Sequence, residues 1–96
     1  MHLSVPKSPG EAIKAVRIYL RRSQDDVAEA LGASRQTVSL WERGTNEPRV
    51  TYLKKLWEMG INRDYLLCMS SNPLALPMEV VQINIDAAIK SETPTA

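Results

Sequence analysis

Phenylalanine is absent from this 96-residue chain, and cysteine and histidine occur once each. Without phenylalanine, the core must be filled by leucine, isoleucine, valine, tyrosine, tryptophan and methionine. A single cysteine, Cys68, excludes an internal disulfide, and with one histidine it cannot build a zinc site; it is expected to be a small apolar residue near a helix end. His2 carries no assigned role. No apolar run approaches the ~20 residues needed to cross a bilayer, and the opening "MHLSVPKSPGE" lacks the apolar centre of a secretory signal. A cytoplasmic location without a membrane partner is expected. Catalysis needs an acid, base or nucleophile held in a pocket. The chain offers no internal histidine and no metal-ligand cluster, so no enzymatic activity, no cofactor and no metal are expected. Net charge is only +1, but residues 1–68 carry +3 and residues 69–96 carry −2, which puts the basic balance with the helical part.

What is present is a succession of helix signals. Residues 1–7 are expected to form a loose arm. In "SPGE", Ser8 stands as N-cap, Pro9 at the first helical position and Glu11 three residues after the cap, a capping-box pattern. A helix should run to about Arg22, with Ile13, Val16, Tyr19 and Leu20 inward and Arg17, Arg21 and Arg22 facing water or an anion. Ser23 caps a second helix, whose first turn holds Asp25 and Asp26 where negative charge suits the dipole. Val27, Ala28 and Leu31 form its inner face, and Gly32 ends it in the left-handed conformation. Ser34 then caps a third helix, "RQTVSLWER", with Val38 and Trp41 inward and Gly44 after it. A fourth helix follows Pro48, with Val50, Leu53, Leu56 and Trp57 inward. Asn62 caps a fifth, "RDYLLCM", offering Tyr65, Leu66 and Met69 to the core. The Lys54–Lys55 pair is expected to be ordinary surface.

Two helices joined by a tight glycine-containing turn form a rigid angled unit. The first helix needs a small residue where the second crosses it, and Ala28 fits. The second helix then exposes its leading end, Ser34-Arg35-Gln36-Thr37. An α-helix fits the major groove of duplex DNA. There glutamine bonds adenine through two atoms, arginine bonds guanine, and a threonine methyl touches thymine.

In Arg17, Ser23–Gln24, "VAEALGASRQTVSLWERG", Pro48, Leu53, Leu56 and "INRDYLL", residues 9–67 resemble the Cro/phage-repressor helix-turn-helix family. The resemblance implies an all-α, five-helix domain that binds double-stranded operator DNA as a homodimer, usually to repress transcription. It implies base contacts from Arg35, Gln36, Thr37 and Leu40. It implies phosphate contacts from Gln24, Ser34, Ser39, Arg43, Thr45 and Asn46; Arg49, near a helix N-terminus by its place in the sequence, is expected to face phosphate as well. It also implies a structural pairing of Glu42 with Arg17. Leu40 stands where the family often has a longer polar residue, and Arg21–Arg22 stands where it often has Gly-Leu, which leaves Leu20 to fill that core space. The same fold serves antitoxins, so a protein toxin is the alternative partner. The domain is expected over residues 9–69, between an arm at 1–8 and an extension at 70–90, with residues 91–96 frayed.

The extension is ambiguous in period. In "EVVQINID", Val81, Ile83 and Ile85 alternate with polar residues as in a half-buried strand. Met78, Val81, Ile85 and Ile89 would instead line one side of a helix. A strand is preferred, because a lone edge in a helical domain could pair with its two-fold mate and make Val81, Ile83 and Ile85 the dimerisation surface.

Overall fold

A computed structural model describes residues 3–92. The described chain runs through α1 (Pro9–Tyr19), α2 (Gln24–Leu31), α3 (Arg35–Glu42), α4 (Val50–Glu58), α5 (Arg63–Leu66) and α6 (Met78–Glu92). No strand occurs among the described residues, where a single antiparallel bridge joins Ile61 to Leu74. Residues 93–96, most of the segment expected to fray, lie outside the described chain.

The helix boundaries follow from their caps. The Ser8 Oγ accepts the Glu11 N–H at 3.1 Å, and Pro9 opens α1. The Glu11 carboxylate takes the N–H of Lys7 rather than that of Ser8, so the box closes one residue further out than the sequence pattern implies. Ser23 and Asp26 form a reciprocal box at the start of α2. Helix α1 ends at Tyr19, earlier than expected, because Arg21 adopts a left-handed φ of 59°. The Arg22 N–H then returns to the Arg17 carbonyl at 2.9 Å and the Arg21 N–H to the Ile18 carbonyl at 3.0 Å. This is the glycine-type helix end, with arginine in the glycine position. It frees Ser23 to start α2 and leaves Leu20 buried in the core space foreseen for it.

The core collects Ile13, Val16 and Leu20 from α1, Val27, Ala28 and Leu31 from α2, Val38 and Trp41 from α3, Leu53 and Leu56 from α4, and Tyr65 and Leu66 from α5. Two residues expected inward are not: Val50, at the first position of α4, is 65% exposed and Met69, beyond the short α5, is 74% exposed. Trp57 is half-buried and takes the Arg63 guanidinium over its ring at 5.6 Å. Lys55 is more than surface decoration: its ammonium donates to the Leu31 carbonyl at 3.1 Å, a cation closing the C-terminal end of α2. Cys68 is half-buried at a positive φ of 66°, and burial pushes its thiol pKa up. Nor is the arm wholly loose, since the Leu3 N–H bonds the Ser71 carbonyl at 2.7 Å and Pro6 is buried.

The expectation of a β-strand in the extension is overturned: residues 78–92 form α6, and they close the core. Val81 is fully buried and Ile85 is 4% exposed, one turn apart on the same side, with Ala88 and Ile89 packed beside them. Long-range polar bonds fix the choice between the two periods. The Gln82 side-chain amide donates to the free Leu20 carbonyl at the end of α1 (2.8 Å), and the Asn84 amide donates to the Met59 carbonyl at the end of α4 (2.8 Å). Arg22 donates to the Gln82 side-chain oxygen at 2.7 Å and pairs with Asp86 at 2.9 Å. A strand would place Val81, Ile83 and Ile85 on one face; here Ile83 points away and is 65% exposed. The strand-paired dimer expected through Val81, Ile83 and Ile85 is therefore replaced by a helix that buries two of the three in its own subunit.

Gly10 is the tightest point of the packing. A Cβ there would lie 1.9 Å from the Trp41 carbonyl oxygen, so α1 crosses the end of α3 at backbone distance. Gly10→Ala gains at most ~1 kcal/mol of helix propensity against an overpacking cost of about 1–3 kcal/mol. The variant should melt below the wild type in thermal denaturation; a higher melting temperature would show that the two helices separate without loss.

Candidate nucleic-acid interface

Helices α2 and α3 meet at the corner made by Gly32, whose φ of 70° and ψ of 29° lie in the left-handed region. The Ala33 N–H returns to the Ala28 carbonyl at 2.9 Å, and Ser34 is then extended as the N-cap of α3. Its Oγ accepts the Thr37 N–H at 3.1 Å and sits 2.8 Å from the Thr37 hydroxyl, so the two polar side chains organise the first turn together. Val38 and Trp41 are buried on the inner side of α3, and the Trp41 ring packs against Tyr52 of α4 with centroids 5.0 Å apart. The inward pull of these two residues turns the other side of α3 to solvent.

On that outer side Ser34, Arg35 and Gln36 are exposed, while Thr37, Ser39 and Leu40 are half-buried. Beyond α3 the chain folds back: the N–H groups of Thr45 and Asn46 both reach the Leu40 carbonyl, at 3.0 and 3.4 Å. This brings the exposed Thr45 and Asn46 beside the end of α3, next to the exposed Arg43. Arg49 is exposed at the start of α4. Gln24, by contrast, is half-buried, and its amide donates to Glu42 at 3.2 Å.

One carboxylate holds the assembly. The Glu42 side chain, 3% exposed, accepts the Arg17 Nε at 2.8 Å and Nη2 at 2.9 Å in a two-pronged pair, and takes Gln24 as a third donor. Arg17 also donates to the Arg22 carbonyl at 3.0 Å. The hydrogen bond to Glu42 raises the Arg17 pKa further above its already high value, with burial opposing it. Helices α1, α2 and α3 are thus locked at one point. The expectation that Arg17 and Arg22 face water or an anion is corrected: both are consumed inside the domain, Arg17 by Glu42 and Arg22 by Gln82 and Asp86, while Arg21 remains exposed.

Two contributors escaped the sequence reading. Asp25, a helix-start charge by its position, lies 4.0 Å from the Arg35 guanidinium, with both side chains largely exposed. Such an exposed pair is weak, worth at most ~1 kcal/mol, so Arg35 is readily released to another anion or a base. Gly10 has no part in the Ser8–Pro9–Glu11 capping pattern, and its role depends on a carbonyl 31 positions away, which no local pattern reveals.

Chemically, the outer side of α3 offers short hydroxyls, an amide, a guanidinium and the apolar Leu40 on a narrow convex rod. An α-helix with side chains is ~10–12 Å across, and the major groove of B-DNA is ~12 Å wide. No group of three or more potential metal ligands occurs among the described residues, and none of the described helices is long and apolar enough to cross a membrane. Residues 13–58 match the family model described as helix-turn-helix. That span runs from α1 through α4 and ends before α6. No curated protein and no solved structure matches the chain.

Removing one partner of the buried pair leaves a charge without a counterion, a loss of about 3–5 kcal/mol in comparable sites. Arg17→Met should therefore shift the urea midpoint strongly downward. An unchanged midpoint would mean that Glu42 is not held by Arg17 in solution.

Proposed function

From the match of residues 13–58 to the helix-turn-helix family model, we propose that the chain is a DNA-binding transcription regulator, and in particular a sequence-specific repressor. Its operator would be a two-fold site, occupied by a homodimer with one α3 in each of two successive major grooves. The observation that carries this reading is the exposed polar tip of α3, Arg35 and Gln36 above all, held rigid from behind by Val38, Trp41 and the Glu42 brace.

Roles divide by chemistry and position. Gln36, near the leading end of α3, suits a two-atom bond to adenine, Arg35 a bond to guanine, and Thr37 and Leu40 apolar contact with thymine methyls. Ser34, Ser39, Arg43, Thr45, Asn46 and Arg49 suit the phosphates on either side of the groove, where backbone contacts set register rather than sequence. Gln24, anchored on Glu42, suits a phosphate beside the brace. The domain measures 42 × 31 × 21 Å, and two copies side by side match half-sites about one helical turn, ~34 Å, apart. Repression follows from occupancy of a promoter.

Selection of bound duplexes from a random pool, followed by affinity measurement, tests the assignment. Gln36→Ala should lose about 1–3 kcal/mol on the selected site and much less on random duplex, whereas an equal loss on both would remove Gln36 from base reading. Arg43→Ala should weaken both alike and reduce the salt slope by about one. Binding indifferent to salt would contradict a DNA partner altogether.

A further inference from the structure

Helix α6 has two apolar sides. Val81 and Ile85 face the core, and on the opposite side Val80, Ile83 and Ala87 recur at helical spacing and are exposed, with the exposed Leu76 just before the helix. Nothing in the described chain covers this outer stripe. Ile83 alone is 65% exposed, although single exposed apolar residues are common and a contiguous row is not.

We propose that this stripe is the self-association surface, with α6 of one copy lying antiparallel against α6 of a second copy about a two-fold axis near Ile83. The occupant is argued from charge. Glu79 and Lys90 sit on the same edge of the stripe as Ile83, eleven positions and therefore ~16 Å apart along the axis, and neither takes part in an ion pair within the described chain. Antiparallel pairing puts Glu79 of each copy against Lys90 of the other, and Val80 against Ala87. A parallel arrangement would set each Glu79 at the height of the other and leave it ~16 Å along the axis from the nearest Lys90, so neither charge would be met. The stripe is thus complementary to itself under the symmetry that a closed dimer requires.

Position agrees. Helix α6 packs over the side of α2 that carries Val27 and Ala30, while Gln24 and Asp25 on the other side of α2 meet α3. Pairing through the outer stripe therefore leaves both α3 tips uncovered. A single helix seam buries less than the ~1,200 Å² of a standard interface. The dimer is accordingly weak in free solution and reinforced when two copies occupy adjacent half-sites, where effective concentration reaches the millimolar range. The proposal rests on the dimeric reading of the operator-binding form and names the surface that makes it.

Sedimentation equilibrium from about 10 μM to 1 mM protein tests it. Wild type should show a reversible monomer–dimer equilibrium. Ile83→Glu should weaken it at least about tenfold with helicity and melting temperature unchanged, since the site is already exposed. Glu79→Lys should weaken association, and adding Lys90→Glu should restore it to within about threefold. Wild type that stays monomeric throughout, Ile83→Glu that associates as tightly as wild type, or a charge swap that fails to restore pairing would each overturn the proposal. Random-duplex binding separates the two failures: monomeric Ile83→Glu that keeps its per-monomer affinity locates the loss in the seam. Folded wild type without DNA affinity would instead sink the regulator reading.

Discussion

A single buried carboxylate sets the geometry on which the rest of the structure depends. Glu42 lies at the end of α3, faces inward, and receives donors from α1 and α2 at once. A carboxylate out of water is costly unless every oxygen is paired. Arg17 and Gln24 satisfy both oxygens, so the three helices have one favourable mutual orientation rather than a continuum. Apolar packing alone is tolerant of small rotations; a two-pronged guanidinium pair is not. The direction of α3, and with it the row of side chains offered to solvent, is fixed by this constraint at its far end and by the Gly32 corner and Ser34 cap at its near end.

The close approach at Gly10 completes the clamp. With no Cβ in the way, the first turn of α1 sits on the Trp41 carbonyl, one residue before Glu42. Ring packing of Trp41 on Tyr52 supports the same segment from α4. Helix α3 is thus gripped on three sides near its C-terminal end, while its N-terminal end projects. Such an arrangement suits recognition, because a rigid support lowers the ordering cost of placing polar groups against base edges.

Much of this was legible in the sequence, and what was not has a physical cause. Short-range signals decided the α2–turn–α3 unit: a serine cap, a glycine needing a left-handed φ, a second serine cap. They lie within a few residues of what they govern. The Arg17–Glu42 pair spans 25 positions and came only through family resemblance. The extension folds as a helix where a strand is expected because "EVVQINIDAAI" carries both periods at once, with β-branched residues at alternate positions and apolar residues a turn apart. The tie is broken by the Leu20 and Met59 carbonyls, which α1 and α4 leave open for Gln82 and Asn84. Of the other apolar positions, Val80 and Ile83 lie on the outer side of the helix and are exposed. Gly10 and the Arg22 anchor depend on partners 31 and 60 positions away, beyond any local rule.

The most direct test of the central claim is backbone amide NMR on the full chain during titration with a short duplex. If the α3 tip enters the groove, the amides of Ser34 to Leu40, together with Gln24 and Arg43 to Asn46, should shift or broaden. Shifts confined to α6 and α4, with Arg35 and Gln36 unmoved at saturating duplex, would contradict it.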